Sequence, residues 1–297
     1  MPPPKKPRSL DFKRPFGILD KALTKLGYKI EREWPQRYWQ VQGARELFLI
    51  NTRTAHLTCR SILYLAADKP YDANRLLQFC VALRPLNRAM LDNLFNVMFL
   101  LDDVPARCEL FYESDWREAR RELDRVKKEY GHSRRWRKYI LGLDAYTRQG
   151  LQFLNLPSAS LSNPGGLRSW PNVGTMASYG ISENSMLPPN REFMKFLHEH
   201  FYSDVSQQTH MGGIGAIKRS GFLINERFSG LQKMLIRNKT ASLGYSMTWA
   251  AAIASEIEDH FKFGLKMDLV ILWQLMYDYI EVAREIYDKR YKALLTL

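Results

Sequence analysis

Cysteine is scarce in this chain: three among 297 residues, Cys59, Cys80 and Cys108, at wide spacings and with no CxxC pair. That argues against a disulfide framework and a thiolate metal cluster, and the apolar helical text around each cysteine reads as a buried free thiol in a reducing compartment. Long apolar runs are missing too. The closest, LFNVMFLL, stops at Asp102 and Asp103, short of the roughly 18 residues a membrane-spanning helix needs. A soluble, cytoplasmic protein with no membrane partner is therefore expected. No segment alternates polar and apolar residues convincingly and no hairpin dipeptide separates two such runs, so sheet content should be small or nil. The opening MPPPKKPRSLDFKRPF has charge and proline but no apolar centre, unlike a secretory signal. A Walker loop, a GxSxG elbow, an HExxH pair and the kinase set are absent, and the glycines of MGGIG and NPGGL lack dinucleotide-fingerprint spacing. Nothing in the sequence asks for a cofactor.

What is present is apolar and basic. Hydrophobic residues make up 45% of the chain and aromatics 12%, ample for a packed core. The 44 Lys and Arg against 31 Asp and Glu give a net charge of +13, which favours an anionic partner such as RNA or another nucleic acid. The helical period dominates throughout, and the expected fold is all-α: a multi-helix bundle or array with an extended basic N-terminal arm and one long loop. The arm covers residues 1–17, and a single helical domain covers 18–297. The first helical pattern begins near Asp20. A long helix reads from Pro35 to Leu65, and Asp72 is a natural cap for the next, which Pro85 kinks or restarts before it ends at Asp102 to Pro105. A further helix runs from about Ala106 to Tyr130. Residues 157–189, rich in Ser, Gly, Asn and Pro, read as a loose flap or as a lid over a site. Asn190 can cap the next helix, and two more follow, from Glu226 to about His260 and from Met267 to about Leu295. The last is the expected subunit interface of a homodimer.

Four polar residues, Arg84, Arg88, Asp92 and Asn96, fall at four-residue steps through otherwise apolar text. That spacing keeps them on one helical face, and charge leaves water only where it is paired or used. A second row, Tyr202, Ser206 and His210, ends a helix and is followed by glycines. If the rows meet, Arg88 can hold an anionic group, Asp92 can orient Arg88 or His210, and His210 can move a proton near neutral pH. The bland alternative is an interhelical network that sets register, since a partly buried Arg–Asp pair is more often structural than catalytic. Arg134, Arg135, Arg137 and Lys138, around Trp136 and nearly free of acids, are the better candidates for touching phosphate. In the segment from Ala106 to Tyr130 the cations alternate with Glu and Asp and read as a self-paired face. His198 and His200 point to different faces with no third ligand placed beside them, so no metal site is expected.

The stretches RAMLDNLFNVMFLLDD, from Arg88 to Asp103, and YSDVSQQTH, from Tyr202 to His210, resemble a family of mostly bacterial helical proteins of unknown function. That family carries an Arg-rich helix and a later Tyr-x-x-x-Ser-x-x-x-His segment. The second stretch is also similar to the signature of the HEPN superfamily, helical ribonucleases and nucleotide-binding modules of bacterial toxin and phage-defence systems. The resemblance implies metal-independent RNA cleavage in a stress or phage-defence setting, with a His assisting attack or departure and an Arg stabilising phosphate charge. It also implies sites assembled across a dimer. Ser203 stands where an Arg is expected, so either Arg88 or Arg84 supplies the cation from the other helix or the site is not a nuclease. A second pair, Arg191 and His198, has a loose version of the spacing, with Glu192 where a small polar residue or His is preferred.

The leading expectation is thus an HEPN-like protein acting on or binding RNA. His210, Arg88 and Asp92 are its candidate catalytic residues, and Arg84, Asn96, Tyr202, Ser206, Arg134, Arg135, Arg137 and Lys138 its candidate binding residues. The alternative is a non-catalytic helical scaffold that holds nucleic acid or another protein. A small-molecule enzyme with residues 157–189 as its lid is a third reading.

Overall fold

The computed structural model describes residues 12–66, 73–154, 156, 160, 164–178, 188–202 and 231–295. Expectations for His210, Ser206 and the Asp72 cap, and for the side chain of Cys80, lie outside the described residues. Among those described, the fold is all-α, with no strand. Helix α1 (Lys13–Arg32) pairs with α2 (Ala44–Ala66); α3 (Ala73–Asp102) and α4 (Val104–Tyr130) follow, then α5 (Arg137–Phe153), α6 (Val173–Ser178) and α7 (Pro188–Leu197), which runs on through a π turn, His198–Tyr202. After it come α8 (Leu231–Phe261), α9 (Lys266–Tyr277) and α10 (Glu281–Ile286), the last extended by a second π turn, Tyr287–Tyr291. No helix among the described residues is long and apolar enough to cross a membrane.

The core is centred on α3 and α8, which share the most extensive helix pairing in the chain. From Met90 to Leu100 almost every apolar side chain of α3 is buried, and in α8 Met247 through Ile257 are buried on all faces. The small residues Ala250, Ala251, Ala252 and Ala254 let neighbouring backbones come close. Polar side chains in this dry helix answer locally. The hydroxyls of Ser246, Thr248 and Ser255 donate to carbonyls three or four residues back, and Trp273 Nε1 donates to Ser255 Oγ at 2.9 Å. Helices α1, α2 and α9 pack around this pair. Cys59 and Cys108 are free and buried, and burial pushes both thiols up to about 12, as inert core sulfurs should behave.

Several boundaries differ from the sequence expectation. α1 starts at Lys13, so residues 13–17 of the expected arm are helical; Pro15 sits in the first turn, where its missing N–H forfeits no bond. The helix expected from Pro35 begins only at Ala44, after a 3₁₀ turn and Gly43 at φ 69°. Tyr112 crowds that glycine and donates to its carbonyl at 3.0 Å, leaving no room for a Cβ. α3 passes through Pro85 without ending. The expected helix from Met267 to Leu295 is broken at Ile280, whose backbone is extended. Leu269, Leu272, Trp273, Met276, Ile286 and Tyr291 are buried in the chain's own core, while Met267, Ile271 and Tyr279 stay exposed.

One buried ion pair ties the C-terminal segment to α8 and α7. Arg290 donates through Nε and Nη2 to the two oxygens of Glu256 at 2.5 and 2.6 Å, and Nη2 also reaches Asn190 Oδ1 at 2.6 Å. Tyr291 OH donates to Glu256 Oε1 at 2.8 Å. Asn190 therefore anchors α7 to Arg290, and α7 itself begins two residues earlier than the expected cap, at Pro188. Removing Arg290 strands a buried carboxylate. Arg290→Met should lower unfolding free energy in urea by about 3–5 kcal/mol, and pairing it with Glu256→Leu should recover most of the loss.

A second electrostatic device lies where α8 ends. His260 Nε2 is 2.8 Å from Tyr38 OH, and burial together with the Arg37 guanidinium pushes the imidazole down to about 4. Asp259 pulls the other way and Lys262 adds to the depression. The folded value lies below the ordinary 6.5, so the unfolded chain takes up the proton first and stability falls as pH drops from about 6.5 towards 4. In His260→Gln, melting curves should lose about 1–2 kcal/mol of that pH dependence, discounted for partial exposure.

Candidate functional site

The polar row of α3 lies at the seam where α3 meets α6 and the π turn that follows α7. Arg88 and Asp92 are one turn apart, with Arg88 Nε 3.5 Å from Asp92 Oδ2. Arg88 Nη2 donates a short hydrogen bond to Tyr202 OH, and its guanidinium carbon lies 4.7 Å from the Tyr202 ring centroid. The ring meets Phe95 edge-on at 5.8 Å. His198 stacks on the same Tyr202 ring, with centroids 5.5 Å apart and planes 18° apart. The last residue of the π turn thus meets the middle of α3, with the first stacked on its ring, and such turns recur at functional sites.

Asn96, one turn beyond Asp92, accepts from Trp170 Nε1 at 3.0 Å. Trp170 meets Phe99 and Phe111 edge-on, both at 5.1 Å. Within the stretch 157–189, residues 164–178 are fastened to α4 and α3 rather than loose, and 157–159 and 161–163 lie outside the described residues. Arg168 gives its backbone N–H and its Nε to the two oxygens of buried Glu113 at 2.9 and 2.7 Å. Trp170 N–H donates to Ser114 Oγ at 2.7 Å, and Arg117 donates to Leu167 O at 3.0 Å. Residues 179–187 lie outside the described residues. Asn172 caps the following turn, accepting from Thr175 N–H at 2.9 Å. A Cβ on Gly174 would come within 3.6 Å of His198 Nε2, which places the imidazole beside α6.

Burial shapes the titration of the seam. Desolvation raises the Asp92 carboxyl above its ordinary 3.8 although Arg88 and Tyr202 pull it down. Burial, with the Asp92 charge next, raises the Tyr202 phenol. Asp92 Oδ1 is sealed from solvent and meets no hydrogen-bond donor among the described residues. The seam therefore holds a cation, a carboxylate that gives up its charge more readily than usual, a phenol and an imidazole. With those groups it can hold an oxyanion and pass a proton.

Of the expected site residues, Arg88, Asp92, Tyr202 and Asn96 are brought to one seam. Arg84 lies on the same row at intermediate burial. Arg134, Arg135, Arg137 and Lys138 sit elsewhere, at the turn between α4 and α5. The seam also contains His198, Trp170 and Gly174, which the sequence argument did not place there. For His198 a signal existed, its spacing of four from Tyr202. No group of three or more His, Cys, Asp or Glu that could hold a metal ion occurs among the described residues. No known protein family, characterised protein or solved structure matches the chain.

Because burial outweighs pairing at Asp92, its ionised form costs stability above the raised folded pKa, and the cost fades as pH falls towards 3.8. Asp92→Asn should therefore leave stability at pH 7 within about 1 kcal/mol of wild type or above it, and flatten the acid limb of a melting-temperature profile. Arg88→Ala, which leaves the carboxylate without its cation, should destabilise at pH 7 and much less at pH 4.

Proposed function

We propose that this chain is an HEPN-like helical protein that acts on RNA, and that the seam between α3 and the π turn is its reactive centre. The observation that carries this reading is the convergence of Arg88, Asp92, Tyr202 and His198 from segments more than a hundred residues apart. In the proposed reaction an imidazole takes the proton of a ribose 2′-hydroxyl as its oxygen attacks the adjacent phosphorus. The bond to the 5′-oxygen breaks, and that oxygen receives a proton as it leaves. Arg88 meets the charge that builds on the non-bridging oxygens, and Tyr202 and Asp92 hold its guanidinium in place. His210 is the acid/base implied by the resemblance, and His198 is the imidazole that lies against Tyr202 among the described residues. Both belong in the test.

A second reading, a non-catalytic scaffold that holds nucleic acid, is favoured by the same pairing. A guanidinium already facing a carboxylate and a phenol has less to offer a phosphate.

The deciding experiment incubates wild type, Arg88→Ala, His198→Ala and His210→Ala with total RNA in the presence of a chelator. Cleavage by wild type is expected, with Arg88→Ala and the variant of the working histidine slower by about 100-fold or more. Intact RNA with wild type, retained on the protein in a salt-dependent manner, would overturn the nuclease and leave the scaffold.

A further inference from the structure

The turn between α4 and α5 carries a surface that the seam does not use. Its chemistry changes abruptly along the hairpin. In the middle of α4 three cations are paired within their own helix: Arg120 with Asp124, Arg121 with Glu118, and Arg125 with Glu122 and Glu129. Lys127 and Arg148 share Asp144 across the hairpin. Beyond these pairs the carboxylates stop. Arg134, Arg135, Arg137 and Lys138 are all exposed, and none makes an ion pair or side-chain hydrogen bond among the described residues. Four cations in five residues repel one another, and no carboxylate among the described residues pairs with them.

The aromatic residues there are ordered against each other. Trp136 stacks on Tyr130 with centroids 4.6 Å apart and planes 13° apart, and Tyr139 meets Trp136 edge-on at 5.8 Å. Tyr139 remains 47% exposed and Tyr130 36%. The base of the hairpin is firmly built. Trp116 Nε1 donates to Thr147 O at 2.7 Å, and Gly150 admits the indole at a distance a Cβ would forbid. Yet α5 buries only Thr147 and has α4 as its principal partner. A rigid hairpin thus presents an aromatic stack ringed by unpaired guanidinium and ammonium groups.

We propose that this tip is a docking surface for single-stranded RNA, with Arg134, Arg135, Arg137 and Lys138 on the phosphates and unpaired bases extending the Tyr130–Trp136–Tyr139 cluster. Charge complementarity selects a polyanion, and the aromatic faces select a strand whose bases are free to stack. A duplex hides those faces. The inference rests on the RNA reading above but not on catalysis. The tip holds the strand, whereas the seam would cut it.

The test is fluorescence anisotropy with the full chain, a labelled single-stranded RNA of about 15 nucleotides and its duplex, over a range of salt. The chain is compared with a variant carrying alanine at 134, 135, 137 and 138 and with Tyr139→Ala, circular dichroism checking the fold of each. Wild type should prefer the single strand. The fourfold variant should lose at least about tenfold in affinity at low salt, and its slope of log K against log salt should fall by about 3. Tyr139→Ala should lose about fivefold or more with the slope unchanged. Equal binding by wild type and the fourfold variant would remove the tip as the surface while leaving RNA as the partner. Failure of wild type to bind RNA at all would overturn both this inference and the RNA reading. Failure to bind RNA with retention on anionic phospholipid vesicles would reassign the tip to a membrane surface. Tip-dependent binding without any cleavage would sink the nuclease and keep this surface.

Discussion

The pairing of α3 with α8 is the constraint on which the other placements depend. Both helices are apolar around most of their circumference where they meet, so neither can be stable at a surface and each requires cover from further elements. Helices α1, α2, α9 and α10 contribute that cover to α8. The remaining side of α3 is closed by the segment at 164–178 and by the π turn after α7, and that side carries Arg88, Asp92 and Asn96. The polar row is thus not an interruption of the core. It is the edge of the core, at the one face of α3 whose cover is supplied by polar and aromatic side chains from short, irregular elements.

Rigidity is distributed to suit that arrangement. Asn190, two residues after the start of α7 at Pro188, is held by Arg290, which is itself held by Glu256 in the C-terminal part of α8. The turn bearing His198 and Tyr202 is therefore anchored at its entrance by a buried charge network. Residues 164–170 are anchored by the acid and hydroxyl of Glu113 and Ser114 on α4. Two independent anchors bring the Tyr202 phenol and the Trp170 indole to the same helix face.

Charge is organised in two contrasting ways. At the seam, Arg88 is matched within the fold, and burial lifts Asp92 towards its neutral form. At the tip of the α4–α5 hairpin, four cations face solvent with no counter-charge among the described residues. The first arrangement suits holding and reacting with a small charged group, and the second suits a long polyanion whose counterions are released on binding. The net charge of +13 therefore understates how localised the basic surface is.

Much of this was open to sequence reasoning, since local periodicity and punctuation are local physics. The helical class, the end of α3 at Asp102, the inward-facing free cysteines and the single-faced row from Arg88 to Asn96 follow from spacing and from the cost of burying charge. The self-paired face of α4 and the acid-free cluster after Gly131 were legible from charge order alone. What the sequence could not supply was pairing at a distance. Nothing near Arg290 names Glu256, thirty-four residues away, and nothing near Trp170 names Asn96. The break at Ile280 and the late start of α2 at Ala44 go against an unbroken apolar pattern, because the chain must turn there to cover α8 and to admit Tyr112 against Gly43. Side-chain type and spacing determined which groups would share a face; only tertiary packing decided which faces would meet, and so brought Tyr202, rather than solvent, to Arg88.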